Sequence, residues 1–185
     1  SFCWDDLHEV GFQINSSPWN KIYKREFVQQ NNIEFATGVY YQDVLFVFNS
    51  LIHAKRISVV RKPLYTYRFV RSGSTTSDKG KRQFDIFIVL NLLLSAIRNT
   101  PEFELYKFKF FEYQFDQYLY HYREIKKEYK KEYWKKIKTQ FKTLDKQVKV
   151  HLYNYNPRFE SGIINGQYFY DNYEQLMRKK NNGNN

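Results

Sequence analysis

A few side chains in this sequence are of a type and spacing that could do chemistry. Asp43 opens the apolar segment Tyr41–Ala54 (YQDVLFVFNSLIHA), in which Val44, Phe48, Leu51 and Ile52 recur on one side of a helix. A carboxylate in a helix's first turn is held in place, and the helix N-terminus stabilises its charge. It could take a proton from a substrate hydroxyl within hydrogen-bond reach. The same placement also suits a plain N-cap of a 44–54 helix. A second group lies in Tyr67–Gly80 (YRFVRSGSTTSDKG), where Arg68, Arg71, Ser72 and Ser74 flank a glycine. Arginine forks bind phosphate oxygens in pairs, and glycine lets a loop backbone approach a ligand closely. A solvated loop would have the same composition. Trp19-Asn20-Lys21 is the third group: an aromatic face that could stack on a sugar ring, beside an amide and an ammonium. Its alternative is a core tryptophan next to an exposed lysine.

Other chemistries lack their signatures. There is no GxxxxGK[ST] and no GxGxxG phosphate cradle. His8, His53, His121 and His151 are scattered and Cys3 stands alone, so no zinc site is expected from local spacing. No local signature of Ser-His-Asp catalysis is present. His53 ends an apolar helix face and reads as structural.

The elements that must position these groups follow from periodicity and turn residues. Ser17-Pro18 sets a turn, Trp19–Gln30 reads as a short helix and Ile33–Phe35 as a short extended piece. After the 41–54 helix, β-branched Ile57–Val60 and then Leu64–Val70 predict strands, divided by Lys62-Pro63. Phe84–Arg98 is apolar at helical spacing. From Glu102 to Val150 there is neither proline nor glycine, and Phe and Tyr recur every three or four residues. That predicts one long amphipathic helix, or two with a break that the sequence does not locate. Its aromatic stripe is best read as core packing. Glu124, Glu128 and Glu132 run beside Lys127, Lys131, Lys135 and Lys136 on the wet face. Asn154–Pro157 signals a turn, Gln167–Lys180 a last helix, and 181–185 a frayed tail. The expected fold class is α/β, mostly α by content. The expected divisions are 1–82, 83–180 and a disordered 181–185.

Composition sets the outer bounds. At 185 residues with 20% aromatics and only 7 glycines, the chain can bury a core and is not a low-complexity or disordered sequence. Its 30 basic and 19 acidic residues give a net charge of +11, which favours anionic partners. A single cysteine allows no internal disulfide and fits a reducing compartment. No signal peptide is evident, and Ile86–Leu94 is too short to span a bilayer. A cytoplasmic location follows as the expectation.

Three segments carry a resemblance together: PWNKIYKREF at 18–27, FATGVYYQDVLF at 35–46 and PLYTYRFVRSGST at 63–75. In order and spacing they resemble the second half of a bacterial family 2 glycosyltransferase of the GT-A fold, over Ser17 to Ser77. That family has a WNK segment, then F-x-x-G-x-x-x-E-D, then a Y-x-YR-x-x-R-x-G-S strand and loop. The resemblance implies Asp43 as general base of an inverting sugar transfer. Gln42 replaces the preceding family Glu. It also implies Arg68, Arg71, Ser72 and Ser74 at the donor diphosphate or acceptor, and Trp19, Asn20 and Lys21 on the acceptor side.

Family members also carry a nucleotide-binding half with a D-x-D that holds a divalent metal, Mn or Mg. No counterpart is found in this sequence. Asp5-Asp6 has neither the spacing nor the preceding apolar strand. The chain thus resembles the C-terminal portion of such an enzyme: an incomplete GT-A half at 1–82 followed by a helical region. Its expected partners are a nucleotide-sugar donor and a glycan or lipid-linked acceptor, acting in surface-polysaccharide synthesis. The expected place is the cytoplasm, including the inner membrane face as a peripheral protein. The alternative is a non-catalytic basic aromatic module that binds an anionic membrane through 102–150, or nucleic acid. Nucleic acid is disfavoured because the lysines of 124–138 alternate with glutamates.

Overall fold

The computed structural model describes residues 1–68 and 78–156. Among these the protein is mostly helical, as expected. The predicted helix at 167–180, the tail, Pro157 and the end of the second predicted strand lie outside the described residues. Six α-helices follow in order: α1 (Arg25–Gln30), α2 (Gln42–His53), α3 (Asp85–Ile97), α4 (Phe103–Glu124), α5 (Lys127–Lys142) and α6 (Lys146–Tyr155).

Residues Ser1–Trp134 form one compact unit, which takes in segments from both sides of position 83. At its centre is α3, whose Ile86, Phe87, Val89, Leu90, Leu93 and Ile97 are buried. Apolar residues on nearly every face make this helix a core element rather than a surface one. It packs on α2 and α4. The 22 residues of α4 turn Tyr106, Phe110, Phe115, Tyr118 and Tyr122 inward. Much of the aromatic stripe of 102–150 is thus core, which was the favoured reading of it.

The N-terminal residues gave only weak sequence signals, yet they supply two core side chains. Short 3-10 turns at Asp5–Leu7 and Gly11–Gln13 deliver Trp4 and Phe12 inward. Trp4 meets Phe12 and Tyr106 edge-on, at centroid distances of 5.3 and 5.7 Å. Phe12 stacks on Tyr113 of α4 at 5.5 Å and lies 5.2 Å from Phe48 of α2.

Elsewhere the structure departs from the expectations in informative places. Trp19–Gln30 is not one helix: a 3-10 turn spans Pro18–Asn20, Lys21–Lys24 is extended or irregular, and α1 begins only at Arg25. Ile57–Val60 forms no strand. Ile57 makes an isolated antiparallel bridge with Phe2, and 58–60 and 64–68 have no partner strand among the described residues. A β-prone sequence needs a neighbour to satisfy its backbone, and the described residues provide none there.

The 102–150 run is divided twice. Ile125 is buried and extended between α4 and α5, and the Lys126 N–H donates to the Lys79 carbonyl at 2.9 Å. The second unit, Lys135–Asn185, is described to Asn156. Within it Asp145 caps α6: its Oδ1 accepts the Val148 N–H at 2.9 Å. Asn154 and Tyr155, expected in a turn, complete α6, and Asn156 is its extended C-cap.

Candidate functional site

Asp43 sits in the first turn of α2. The lead-in is unusual: Gly38 has φ +74°, and Tyr41, the N-cap, is left-handed at φ 63°. A tyrosine adopts that conformation only when its surroundings hold it there. Here the Tyr40 N–H donates to Asp85 Oδ2 at 2.9 Å, and Arg82 reaches the Gly38 carbonyl at 3.1 Å. Arg82 also pairs with Asp85 at 3.2 Å and lies over the Tyr40 ring, 4.4 Å from its centroid. The residues just before and within the first turn of α3 thus clamp the loop that leads into α2.

Asp43 is not the helix N-cap, since α2 begins one residue earlier. Its Oδ1 accepts the Val44 N–H at 3.1 Å. Burial nevertheless raises its carboxyl above the ordinary carboxylate range, outweighing the backbone N–H groups that lower it. Its charge also helps raise the phenol of Tyr113, whose main perturbation is burial. Asp43 is therefore a half-buried carboxylate of increased basicity, the state that favours proton abstraction. Gln42 beside it is exposed.

The first motif segment packs against α2, which opens within the second, and the described part of the third contacts Trp19 of the first. Phe35 stacks on Phe46 at 4.0 Å with the planes 2° apart, and Tyr23 meets Phe46 edge-on at 5.1 Å. Phe46 lies three residues beyond Asp43, on the same side of the helix. The Pro18–Asn20 turn also packs against α2. From that turn, Trp19 stacks on Tyr67 at 5.3 Å with an interplanar angle of 6°, and lies 6.2 Å from Tyr65. Tyr65 and Tyr67 are the two tyrosines of the Y-x-YR segment, to which the sequence alone assigned no role; their i, i+2 spacing in an extended stretch puts two rings on one side. No protein family, curated protein or solved structure matches the chain.

The remaining expected residues fare differently. Lys21 is turned into its own segment: Nζ donates to the Asn15 and Ser17 carbonyls and to Asn20 Oδ1, at 2.6, 2.9 and 2.8 Å. Partial burial lowers its pKa. Arg68 is exposed. Arg71, Ser72 and Ser74 lie outside the described residues. Among the described residues, no group of three or more His, Cys, Asp or Glu side chains could hold a metal ion. No described helix is long and apolar enough to cross a membrane.

His53 is structural: its Nδ1 bonds the Asn49 carbonyl one turn back, at 2.9 Å. His121 carried no sequence signal beyond its place on a helix. It is buried on α4, with Nδ1 2.6 Å from Gln83 Oε1 and its ring against Tyr41. Since Gln83 Oε1 can only accept, His121 Nδ1 is the donor.

Proposed function

We propose that this chain is the acceptor-binding portion of a GT-A glycosyltransferase, with Asp43 as general base. The observation that carries the reading is a linked set of contacts: the 18–27 segment packs on α2, whose first turns belong to 35–46, and Tyr65 and Tyr67 of the third segment contact Trp19. A raised, half-buried carboxylate stands at the start of that helix. Such a base would take the proton of an acceptor hydroxyl as its oxygen attacks the anomeric carbon of the donor sugar. The bond to the leaving nucleoside diphosphate breaks from the opposite face, its electron pair departs with the diphosphate, and the configuration inverts.

In this reading Arg68, with Arg71, Ser72 and Ser74, meets charge that grows on the departing diphosphate. Trp19 and Asn20 face the acceptor. Lys21 braces the Trp19 turn from within instead of meeting the ligand. The donor nucleotide and its divalent metal belong to a nucleotide-binding half that these residues do not form, and no step here runs through the metal. The acceptor is a glycan or lipid-linked sugar of bacterial surface-polysaccharide synthesis, handled at the inner membrane face.

The test begins with the genomic sequence upstream, where a frame continuing through an apolar strand and an F-x-D-x-D segment is expected. In that complete protein, Asp43→Asn should abolish nucleoside diphosphate release from nucleotide sugars while the fold remains intact. Unchanged turnover by the variant would overturn the assignment of the base.

A further inference from the structure

Trp19, Tyr65 and Tyr67 are exposed rings, and both tyrosines contact Trp19. They are 43%, 53% and 44% exposed and lie within 6.2 Å of Trp19, whereas Trp4 and Trp134 are 2% and 5% exposed. Single exposed aromatics are ordinary on a protein surface, but a contiguous aromatic patch marks a binding site. We propose that these three rings are a carbohydrate-stacking platform that receives pyranose units of the acceptor glycan. Its role as the acceptor site rests on the transferase reading above; the binding itself does not.

The chemistry favours a sugar over a polyanion. A pyranose has a flat face of C–H groups, which suits the electron-rich face of an aromatic ring, and hydroxyls around its edge. The cation on the same turn, Lys21, is already held by three oxygens of its own segment, so it is not presented to a phosphate chain. Arg68 follows Tyr67 and is exposed, which makes a charged-ligand control necessary. The Pro18–Asn20 turn packs on α2, so a glycan lying on the platform would be carried on the same scaffold as Asp43.

Trp19 also reports on the site, because the other two tryptophans are buried. Titrating the chain with chitohexaose, cellohexaose and maltohexaose should quench or shift tryptophan emission with at least one of them. Trp19→Phe should remove that signal. Tyr67→Ala should weaken binding, followed by calorimetry, by tenfold or more, and Tyr65→Ala by less. These rings are exposed, and circular dichroism of the variants should match the parent. No response to any hexasaccharide would overturn the proposal. So would an equal or stronger response to oligo(dT) or UDP, which would identify a base-stacking site. The measurement needs no donor and no turnover. A failed transferase reading therefore leaves a positive binding result standing, and a failed binding result leaves the Asp43 chemistry untouched.

Discussion

Tyr41 lies against the imidazole of His121, with ring centroids 4.4 Å apart, and so joins the left-handed start of α2 to the buried face of α4. His121 donates to Gln83 Oε1, and the Gln83 amide in turn donates to the Asp78 carbonyl. Tyr120 packs edge-on against the same imidazole at 5.1 Å. The chain of contacts ties the segment before α3 to α4 at the point where the loop into Asp43 is set.

Burial, and next the Lys79 ammonium, push the His121 pKa down to about 4. The unfolded chain binds that proton near its ordinary value of about 6.5. Between the two values the unfolded state carries more protons, so stability is full above about pH 6.5 and is lost as pH falls toward 4. The loss should approach about 3 kcal/mol. Urea unfolding at a series of pH values should show this slope in the parent and its disappearance in His121→Phe. A parent curve that is flat over this window would contradict the neutral buried imidazole.

Asp85 serves two partners with one carboxylate, the Tyr40 N–H and Arg82. Asp85→Ala removes a charged acceptor from a part-buried N–H and should cost about 2 kcal/mol. Asp85→Asn keeps an acceptor and should cost less. Hydrogen exchange should localise the effect, with the Tyr40 amide losing protection before the core of α3. If the complete enzyme transfers sugar, Asp85→Ala should lower its kcat without removing the base.

The Asp43 carboxyl is raised by burial, so its sign is opposite to that of His121. The folded state holds this proton to higher pH than the unfolded chain, and stability falls as pH rises through the folded value. Asp43→Asn should therefore be at least as stable as the parent at neutral pH by thermal unfolding. A side chain kept only as a helix cap would instead lose about 1 kcal/mol on replacement.

Gly11 is required by a neighbour. A Cβ there would lie 2.4 Å from one Trp4 ring atom and 2.6 Å from the next. Trp4 is itself packed by Phe12 and Tyr106 and has nowhere to move. Gly11→Ala should cost roughly 1–3 kcal/mol by overpacking. Combining it with Trp4→Leu should give less than the sum of the two losses, since the clash is gone in the double variant.

Helices α2 and α3 were legible in the sequence to within a residue or so, and so was the aromatic stripe within 102–150. Apolar spacing at 3.6 residues is local information and needs no partner to be read. The first break in that stripe was not legible. Ile125 and Lys126 are neither proline nor glycine, and the helix stops because Lys79 supplies a carbonyl to Lys126 and an ammonium to Glu124. The strand expected at 57–60 and the described part, 64–68, of the next one show the converse: β propensity is a preference for a surface that a neighbouring strand must complete.

Asp43 could be nominated from its place at the head of an apolar helix. Its raised basicity could not, because desolvation depends on what the rest of the chain packs around it. Likewise Trp19 was visible as an aromatic next to a turn, while Tyr65 and Tyr67 became its partners only through contacts across more than forty residues. Periodicity along the chain set which segments are helices. The helix break, the direction in which the Asp43 carboxyl is shifted and the contacts of Trp19 with Tyr65 and Tyr67 were decided by tertiary structure, because each depends on groups that only folding brings together.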